Sequence, residues 1–423
     1  MKVAFHTLGC KVNQYETELM KENLIKGGYE IANEGEEPDV FILNSCTVTA
    51  ESDRKTRQMV RKAKKTFPSA TIVLTGCMPQ AFKPQAERLD CADIVLGNGT
   101  NHLLVQALED YFATGKRQIK VLPHDKEQIK STINTFYGRT KAFLKIEDGC
   151  DRFCSYCIIP YARGNSRSNS IQNIIKQINL VVEKDIKEIV LTGIHTGNYG
   201  VDINTNFAEL LREIVKIKGL CRLRISSIEI NELTDEVLQI IKDNDVIVNH
   251  LHIPIQAASD NVLKLMNRKY DLDFFMGRIN KIKSLKEDIS ITTDIIVGFP
   301  GETEEDFSSG IEVIKKICFT KLHVFPYSKR NGTKASLMEQ VPEEIKKKRA
   351  RKLLELSKEL ESLYMKKHLS DEVEVLIETN NGDYALGHTT NYLNVKIYNC
   401  NKRSEDLVKV KLKSIEYPFI IGE

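Results

Sequence analysis

The sequence predicts an α/β protein in three parts: a doubly wound parallel-sheet domain, an incomplete barrel of six βα units, and a small C-terminal β-barrel. Three observations predict it. Short apolar runs alternate with helical segments over the first 112 residues, the pattern of parallel strands joined by crossover helices. A second alternation of the same kind begins at Ala142. From Glu372 the pattern changes to period two, with turn residues between the runs.

In the first part, residues 2–8 alternate like a strand and end at Gly9-Cys10. A helix is predicted from Asn13, with Glu16 three residues on in the manner of a capping box, and it stops at Gly27-Gly28. Residues 40–43, 71–74 and 93–96 read as further strands. A basic helix carries Arg54, Lys55, Arg57, Arg61, Lys62, Lys64 and Lys65, and a last helix covers about 101–112. Cys10, Cys46 and Cys77 each fall just past the end of one of these strands. All three therefore lie on the carboxyl edge of one sheet, where such folds bind ligands. Three in succession point to a cluster site; the plain alternative is three separate small buried residues. Cys91 precedes a strand and belongs to the opposite edge.

Residues 115–138 lack periodicity and read as a basic linker. From 115 to 145 there are eight Lys/Arg against two Asp/Glu, a local net of +6. Strands are predicted at 142–147, 188–192, 222–227, 250–255, 291–297 and 321–326, six units where a closed barrel has eight. Cys150, Cys154 and Cys157 follow the first of them at C-x3-C-x2-C spacing. Three thiolates on one short loop leave one iron of a four-iron cluster without a protein ligand and open to a small molecule. Zinc sites usually come as two cysteine-pair halves, and no second pair follows here. Asp151, Arg152 and Ser155 do not read as core.

Polar residues recur at the same predicted barrel edge. Thr192-Gly193 end the second strand, Glu229 follows the third, Gln256 the fourth, Gly298 the fifth, and Tyr327-Ser-Lys-Arg330 the sixth. Singly each has an ordinary reading as a turn or a cap; their shared place around one cavity favours function. His6, His195, His252 and His323 are expected to be hydrogen-bonded structural histidines, and Cys221 and Cys318 to be core.

A long helix is predicted from Pro342 to about 369, with an apolar stripe at Leu353, Leu356, Leu360 and Leu363. Its first turns carry Lys346, Lys347, Lys348, Arg349, Arg351 and Lys352, a solvated face or a phosphate-contacting one. Five short runs follow, at 372–378, 384–389, 392–398, 407–412 and 415–420. They predict a small barrel of the oligonucleotide-binding type, or else a structural appendage. The implied division is 1–114, a linker at 115–138, a barrel domain at 139–368 and a last domain at 369–423.

A length of 423 residues implies two or three domains. There is no apolar run of membrane-spanning length and no signal-peptide pattern at the start. Ten cysteines without such a signal point to a reducing, cytoplasmic setting in which thiols serve metals. The net charge of +3 says little. Its concentration in 54–65, 115–145 and 346–352 suits a nucleic-acid backbone.

The C-x3-C-x2-C loop resembles the signature of radical S-adenosylmethionine (SAM) enzymes, in which SAM chelates the open iron through its amino and carboxylate groups. The whole chain resembles the methylthiotransferases. The matches are Thr7-Leu-Gly-Cys-Lys-Val-Asn-Gln-Tyr-Glu16, Asn44-Ser-Cys-Thr47, Thr75-Gly-Cys77, Pro160-Tyr-Ala-Arg-Gly164, Thr293-Asp-Ile-Ile-Val-Gly-Phe-Pro-Gly-Glu302, and Tyr327-Ser328 with Arg330 and Gly332-Thr333. The last domain is similar to a TRAM domain. The opening motif is most similar to the branch that acts on N6-threonylcarbamoyladenosine in tRNA. Other branches act on isopentenyl-adenosine in tRNA or on an aspartate of a ribosomal protein.

The resemblance implies insertion of sulfur at C2 of the adenine beside the anticodon, at position 37, followed by methylation of that sulfur. The adenine C2–H is not acidic, so a carbon radical made from SAM has to remove the hydrogen. Two 4Fe-4S clusters are implied, one on Cys150, Cys154 and Cys157 and one on Cys10, Cys46 and Cys77. SAM serves as radical source and methyl donor, and an electron donor such as a flavodoxin or ferredoxin supplies the reductant. Thr192 and Gly193 match the stretch that binds the SAM amino group, with Glu229, Gln256 and Gly298 as further pocket residues. Arg163, Arg167 and Arg330 are candidates to hold RNA phosphate or the threonyl carboxylate. The rival from another class is a nucleic-acid-binding protein with structural clusters, against which the open iron position speaks.

Overall fold

The computed structural model describes residues 1–124, 133, 140–286 and 288–423. The chain forms two compact units. One holds the N-terminal segment with Lys145–Asn173 and Ser328–Ser336; the other holds 140–144, Ile174–Tyr327 and Leu337–Glu423.

The first unit is built on six strands: β1 (Lys2–Thr7), β2 (Glu30–Ile31), β3 (Val40–Ser45), β4 (Thr71–Gly76), β5 (Ile94–Leu96) and β6 (Gln118–Lys120). They pair in the order β2-β1-β3-β4-β5-β6, all parallel. Successive side chains point to opposite faces, and both faces are covered. Leu43, Ile72, Leu74 and Val95 pack with Val60 on one side. Val3, Ile42, Val73 and Ile94 pack with Met20, Leu24 and Leu108 on the other. The helix Ala50–Thr66 is capped by Thr49, whose hydroxyl accepts from the Ser52 N–H at 3.1 Å.

Two expectations change here. The stretch read as a basic linker supplies the sixth strand, Gln118–Lys120, because its backbone completes the open edge of β5; 125–132 and 134–138 lie outside the described residues. The first helix starts at Lys11, with Cys10 in the cap position and no side-chain cap. Asn13 and Glu16 sit inside it and are buried, so they form no capping box.

The second unit contains β7 (Lys141–Lys145), β10 (Glu188–Thr192), β11 (Arg222–Ile225), β12 (His250–His252), β13 (Ser290–Val297) and β14 (Lys321–Pro326). The intervening β8 (Glu147–Asp148) and β9 (Arg167–Ser168) form an antiparallel ribbon in the first unit. Two three-stranded sheets, β11-β10-β7 and β12-β13-β14, are joined by parallel bridges at Leu223↔Ile247 and Ser227↔His252. The result is the six-stranded open barrel that the sequence predicted. Helix Glu343–Lys367 lies along β14, and the Ser357 hydroxyl accepts from the Leu322 N–H at 3.0 Å. Its stripe of Leu353, Leu356 and Leu360 is buried, but Leu363 is 58% exposed and Met365 takes over. Cys221 and Cys318 are also exposed rather than core; Cys318 ends a helix in the left-handed region at φ 56°.

Five strands, β15 (Glu372–Asn380), β16 (Tyr384–His388), β17 (Asn394–Tyr398), β18 (Leu407–Glu416) and β19 (Phe419–Gly422), close a barrel in the order β15-β16-β17-β19-β18. The predicted last run is displaced: 415–416 belong to β18, and β19 starts after Tyr417-Pro418. The barrel is tied to the parallel sheet by charged groups. His388 Nε2 lies 3.0 Å from Glu188 Oε2, Arg222 donates to the Glu374 carbonyl at 2.9 Å, and Lys141 donates to Glu378 at 2.6 Å.

Candidate functional site

The three N-terminal cysteines meet at one end of β1, β3 and β4. Cys10 follows β1 through Gly9, which has φ 114°; a Cβ there would come 2.9 Å from Cys46 Cβ. Cys77 opens a short helix straight after β4. Asn13 sits among them. Its Nδ2 donates to the Leu8 and Ser45 carbonyls, each at 2.9 Å, which fixes the amide. Its Oδ1 then lies 3.6 Å from Cys10 Sγ and 3.9 Å from Cys77 Sγ. Asn98 Nδ2 donates to Cys77 Sγ at 3.5 Å. Cys46 and Cys77 are buried and Cys10 is exposed. Burial pushes the Cys46 and Cys77 thiols up, and the nearby Cys10 adds to it. Such thiols ionise when a metal ion takes the proton's place, so this donor set fits a cluster.

The C-x3-C-x2-C loop leaves the β8–β9 ribbon. The Cys150 N–H donates to the Gly164 carbonyl at 3.0 Å, and the Cys157 N–H to the Cys154 carbonyl at 3.0 Å. The Ala335 N–H donates to the Ser155 carbonyl at 2.8 Å. All three cysteines are half-buried, which fits a cluster approached by a small molecule.

Arg163 is where the structure departs most from the sequence reading. It is buried and donates to both Glu16 oxygens at 2.9 and 3.1 Å, to Asp148 Oδ1 at 2.9 Å and to Asn13 Oδ1 at 2.6 Å. Lys145 Nζ completes the group, 3.3 Å from Glu16 and 3.1 Å from Asp148. Burial alone would raise the Asp148 carboxyl; Arg163 and Lys145 outweigh it and hold the carboxyl well below the usual range. Arg330 is also buried, donating to Asp53 at 2.6 Å and Thr47 at 2.8 Å over the Phe82 ring. Arg167 donates to the Asn165 and Arg163 carbonyls at 2.8 and 3.0 Å. A guanidinium buried this deeply needs a carboxylate partner within the fold. Arg163 and Arg330 have one, so neither offers a free cation to phosphate or to a threonyl carboxylate.

In the second unit the strand-end residues share the carboxyl edge of the open barrel. Thr192 closes β10 and bonds the Val190 carbonyl at 3.2 Å, with Gly193 next. Glu229 lies beyond β11 and 2.9 Å from Arg268. Sequence reasoning missed Glu232 beside it: the donor atoms of His195, Glu229 and Glu232 lie within 4.8 Å of one another, and His195, expected to be a bonded structural histidine, pairs with Glu232. Gln256 has φ 62° and gives its N–H to the Asp294 carbonyl at 2.9 Å. Gly298 follows β13 at φ 66°, and its N–H donates to Glu302 at 2.5 Å. That N–H is therefore already used within the fold. His252 meets Thr292 at 2.9 Å, the structural role expected of it. Lys346 and Arg349 are buried, paired with Glu343 at 2.7 Å and Glu302 at 2.6 Å, so neither is a phosphate contact. Lys347, Lys348, Arg351 and Lys352 are exposed.

Two family models match the chain. One described as the Radical SAM superfamily matches residues 144–313, and one described as Uncharacterized protein family UPF0004 matches 2–97. The chain is 42% identical to the threonylcarbamoyladenosine tRNA methylthiotransferase MtaB of Bacillus subtilis, over 100% of this chain and 96% of that protein. The chain belongs to the radical SAM methylthiotransferase family. As a methylthiotransferase it is a transferase that uses SAM and two 4Fe-4S clusters. It is similar also to the MtaB of Thermotoga maritima, 40% identical over 89% of this chain and 86% of that one. It is 36% identical to a tRNA-2-methylthio-N(6)-dimethylallyladenosine synthase of Hydrogenobaculum, over 92% and 91%. Among solved structures, the radical SAM methyltransferase TsrM of Kitasatospora setae aligns with a TM-score of 0.58 at 12% identity, covering 79% of this chain and 74% of that one; at that identity it shows the fold alone. Among the described residues no helix is long and apolar enough to cross a membrane.

Proposed function

We propose that this methylthiotransferase modifies C2 of N6-threonylcarbamoyladenosine at position 37 of tRNA, with SAM as both radical source and methyl donor. The observation that carries this reading is the pair of three-cysteine sets within one compact unit. One is on a short loop whose three thiols would leave one iron of a cluster without a protein ligand, and the other is gathered at strand ends around Asn13. Cys150, Cys154 and Cys157 would hold the cluster that binds SAM, and Cys10, Cys46 and Cys77 the second. When bound, the clusters supply the electron that cleaves SAM and a place to hold sulfur. The chain's part is to fix the thiols; the Asn13 amide does this at Cys10 and Cys77, and Arg163 holds Asn13 in turn. Thr192, Gly193, Glu229 and Gln256 would shape the SAM pocket, with Gly298 providing its turn.

The threonylcarbamoyl substrate is supported by relatives named for it at 42%, 38% and 40% identity, against 36% for one named for dimethylallyladenosine. For the RNA backbone, Lys55, Arg61, Lys62 and Lys65 are exposed on the helix Ala50–Thr66. A barrel domain at 139–368 and a last segment at 369–423 serving as an RNA-binding barrel go with this reading. So do a cytoplasmic location and a small electron-transfer protein as reductant.

The test is tRNA carrying each modified base, incubated with reconstituted enzyme, SAM and reductant and analysed by nucleoside mass spectrometry. Methylthiolation of the threonylcarbamoyl form is expected. Modification of the isopentenyl form alone would overturn the substrate while leaving the chemistry in place.

A further inference from the structure

The cysteine loop carries more than thiols. Phe153, between Arg152 and Cys154, is 49% exposed, and Tyr161 in the following short helix is 53% exposed. Their ring centroids lie 6.3 Å apart with the planes at 85°. Phe153 also has φ 46°, in the left-handed region that a bulky residue enters only under strain. Strain of this kind is kept at sites that use it. A loop that needed only to present three sulfurs would be served by glycine at 153, which adopts this φ freely. The sequence instead places a large ring there and leaves half of it in water.

We propose that Phe153 and Tyr161 form a stacking platform for an unpaired base of the anticodon loop, beside the adenine that reacts. This rests on the tRNA reading above. The loop borders the cluster at which SAM is cleaved, so what it exposes is what the substrate meets. Unpaired RNA bases are held by stacking on aromatic rings, and every base has a face to stack.

The experiment uses the holoenzyme under anaerobic conditions and an anticodon stem-loop RNA with 2-aminopurine at one loop position at a time, position 37 excepted. Stacking quenches this fluorophore. One position is expected to be quenched on binding. Phe153→Gly, which suits the backbone angle, and Tyr161→Leu should each relieve the quench and weaken binding about fivefold or more. Phe153→Trp should retain it. Unchanged quenching and affinity in both ring-removing variants, with full iron content, would overturn the proposal. Should Phe153→Gly lose iron, Tyr161→Leu decides, since it lies outside the cysteine spacing. A wild-type enzyme that does not bind the stem-loop at all would instead overturn the tRNA reading, and this platform with it.

Discussion

Arg163 donates to both carboxylate oxygens of Glu16 from 147 residues away in sequence, at 2.9 and 3.1 Å. The pair joins the segment of the C-x3-C-x2-C loop to the helix that follows Cys10. Asn13, one turn from Glu16, accepts from the same guanidinium at 2.6 Å.

Removing one member of a buried pair leaves the other uncompensated, at a cost of about 3–5 kcal/mol. Arg163→Ala should therefore destabilise the cluster-free protein by an amount of that order. Chemical denaturation measures it. A loss under about 1 kcal/mol would show that water replaces the guanidinium.

Each cysteine set should account for its own iron. Cys154→Ala should remove one cluster and abolish SAM cleavage to 5′-deoxyadenosine. Cys46→Ala should remove the other, spare SAM cleavage and stop sulfur transfer. Iron analysis and product chromatography separate the two, and iron unchanged in Cys46→Ala would remove the second site.

Binding of tRNA should weaken steeply with salt, because released counterions dominate phosphate contacts. Neutralising exposed Arg61, Lys62 and Lys65 together should lower affinity and flatten the salt slope. Neutralising Lys346 and Arg349 should act on folding instead, since both are buried against carboxylates. Filter binding at several salt concentrations, alongside melting curves, distinguishes these effects.

The C-terminal barrel should loosen in acid. Burial would raise the Glu378 carboxyl, but the His388 hydrogen bond and the Lys141 charge outweigh it and hold it at about 2. A carboxylate held low contributes its stability above its ordinary value of 4.5. That contribution is lost as pH falls from there toward 2. Tyrosine circular dichroism in the near ultraviolet should change over that window, and Glu378→Gln should flatten the change.

The sequence alone determined most of the strands, the open six-stranded barrel, the closed C-terminal barrel and the placing of Cys10, Cys46 and Cys77 just past the ends of parallel strands. Periodicity of two or 3.6 residues is a local property, and a residue just past a parallel strand has its sheet edge settled by chain direction. One misreading was avoidable. Lys346 and Arg349 share the helical stripe of Leu353, Leu356 and Leu360, so their burial followed from spacing. Tertiary structure alone decided the partners of charge. An arginine reads the same whether it will face phosphate or a carboxylate more than a hundred residues away. Arg163 with Glu16, and Arg330 with Asp53 across 277 residues, were settled only when folding buried each cation and a carboxylate offset the lost hydration.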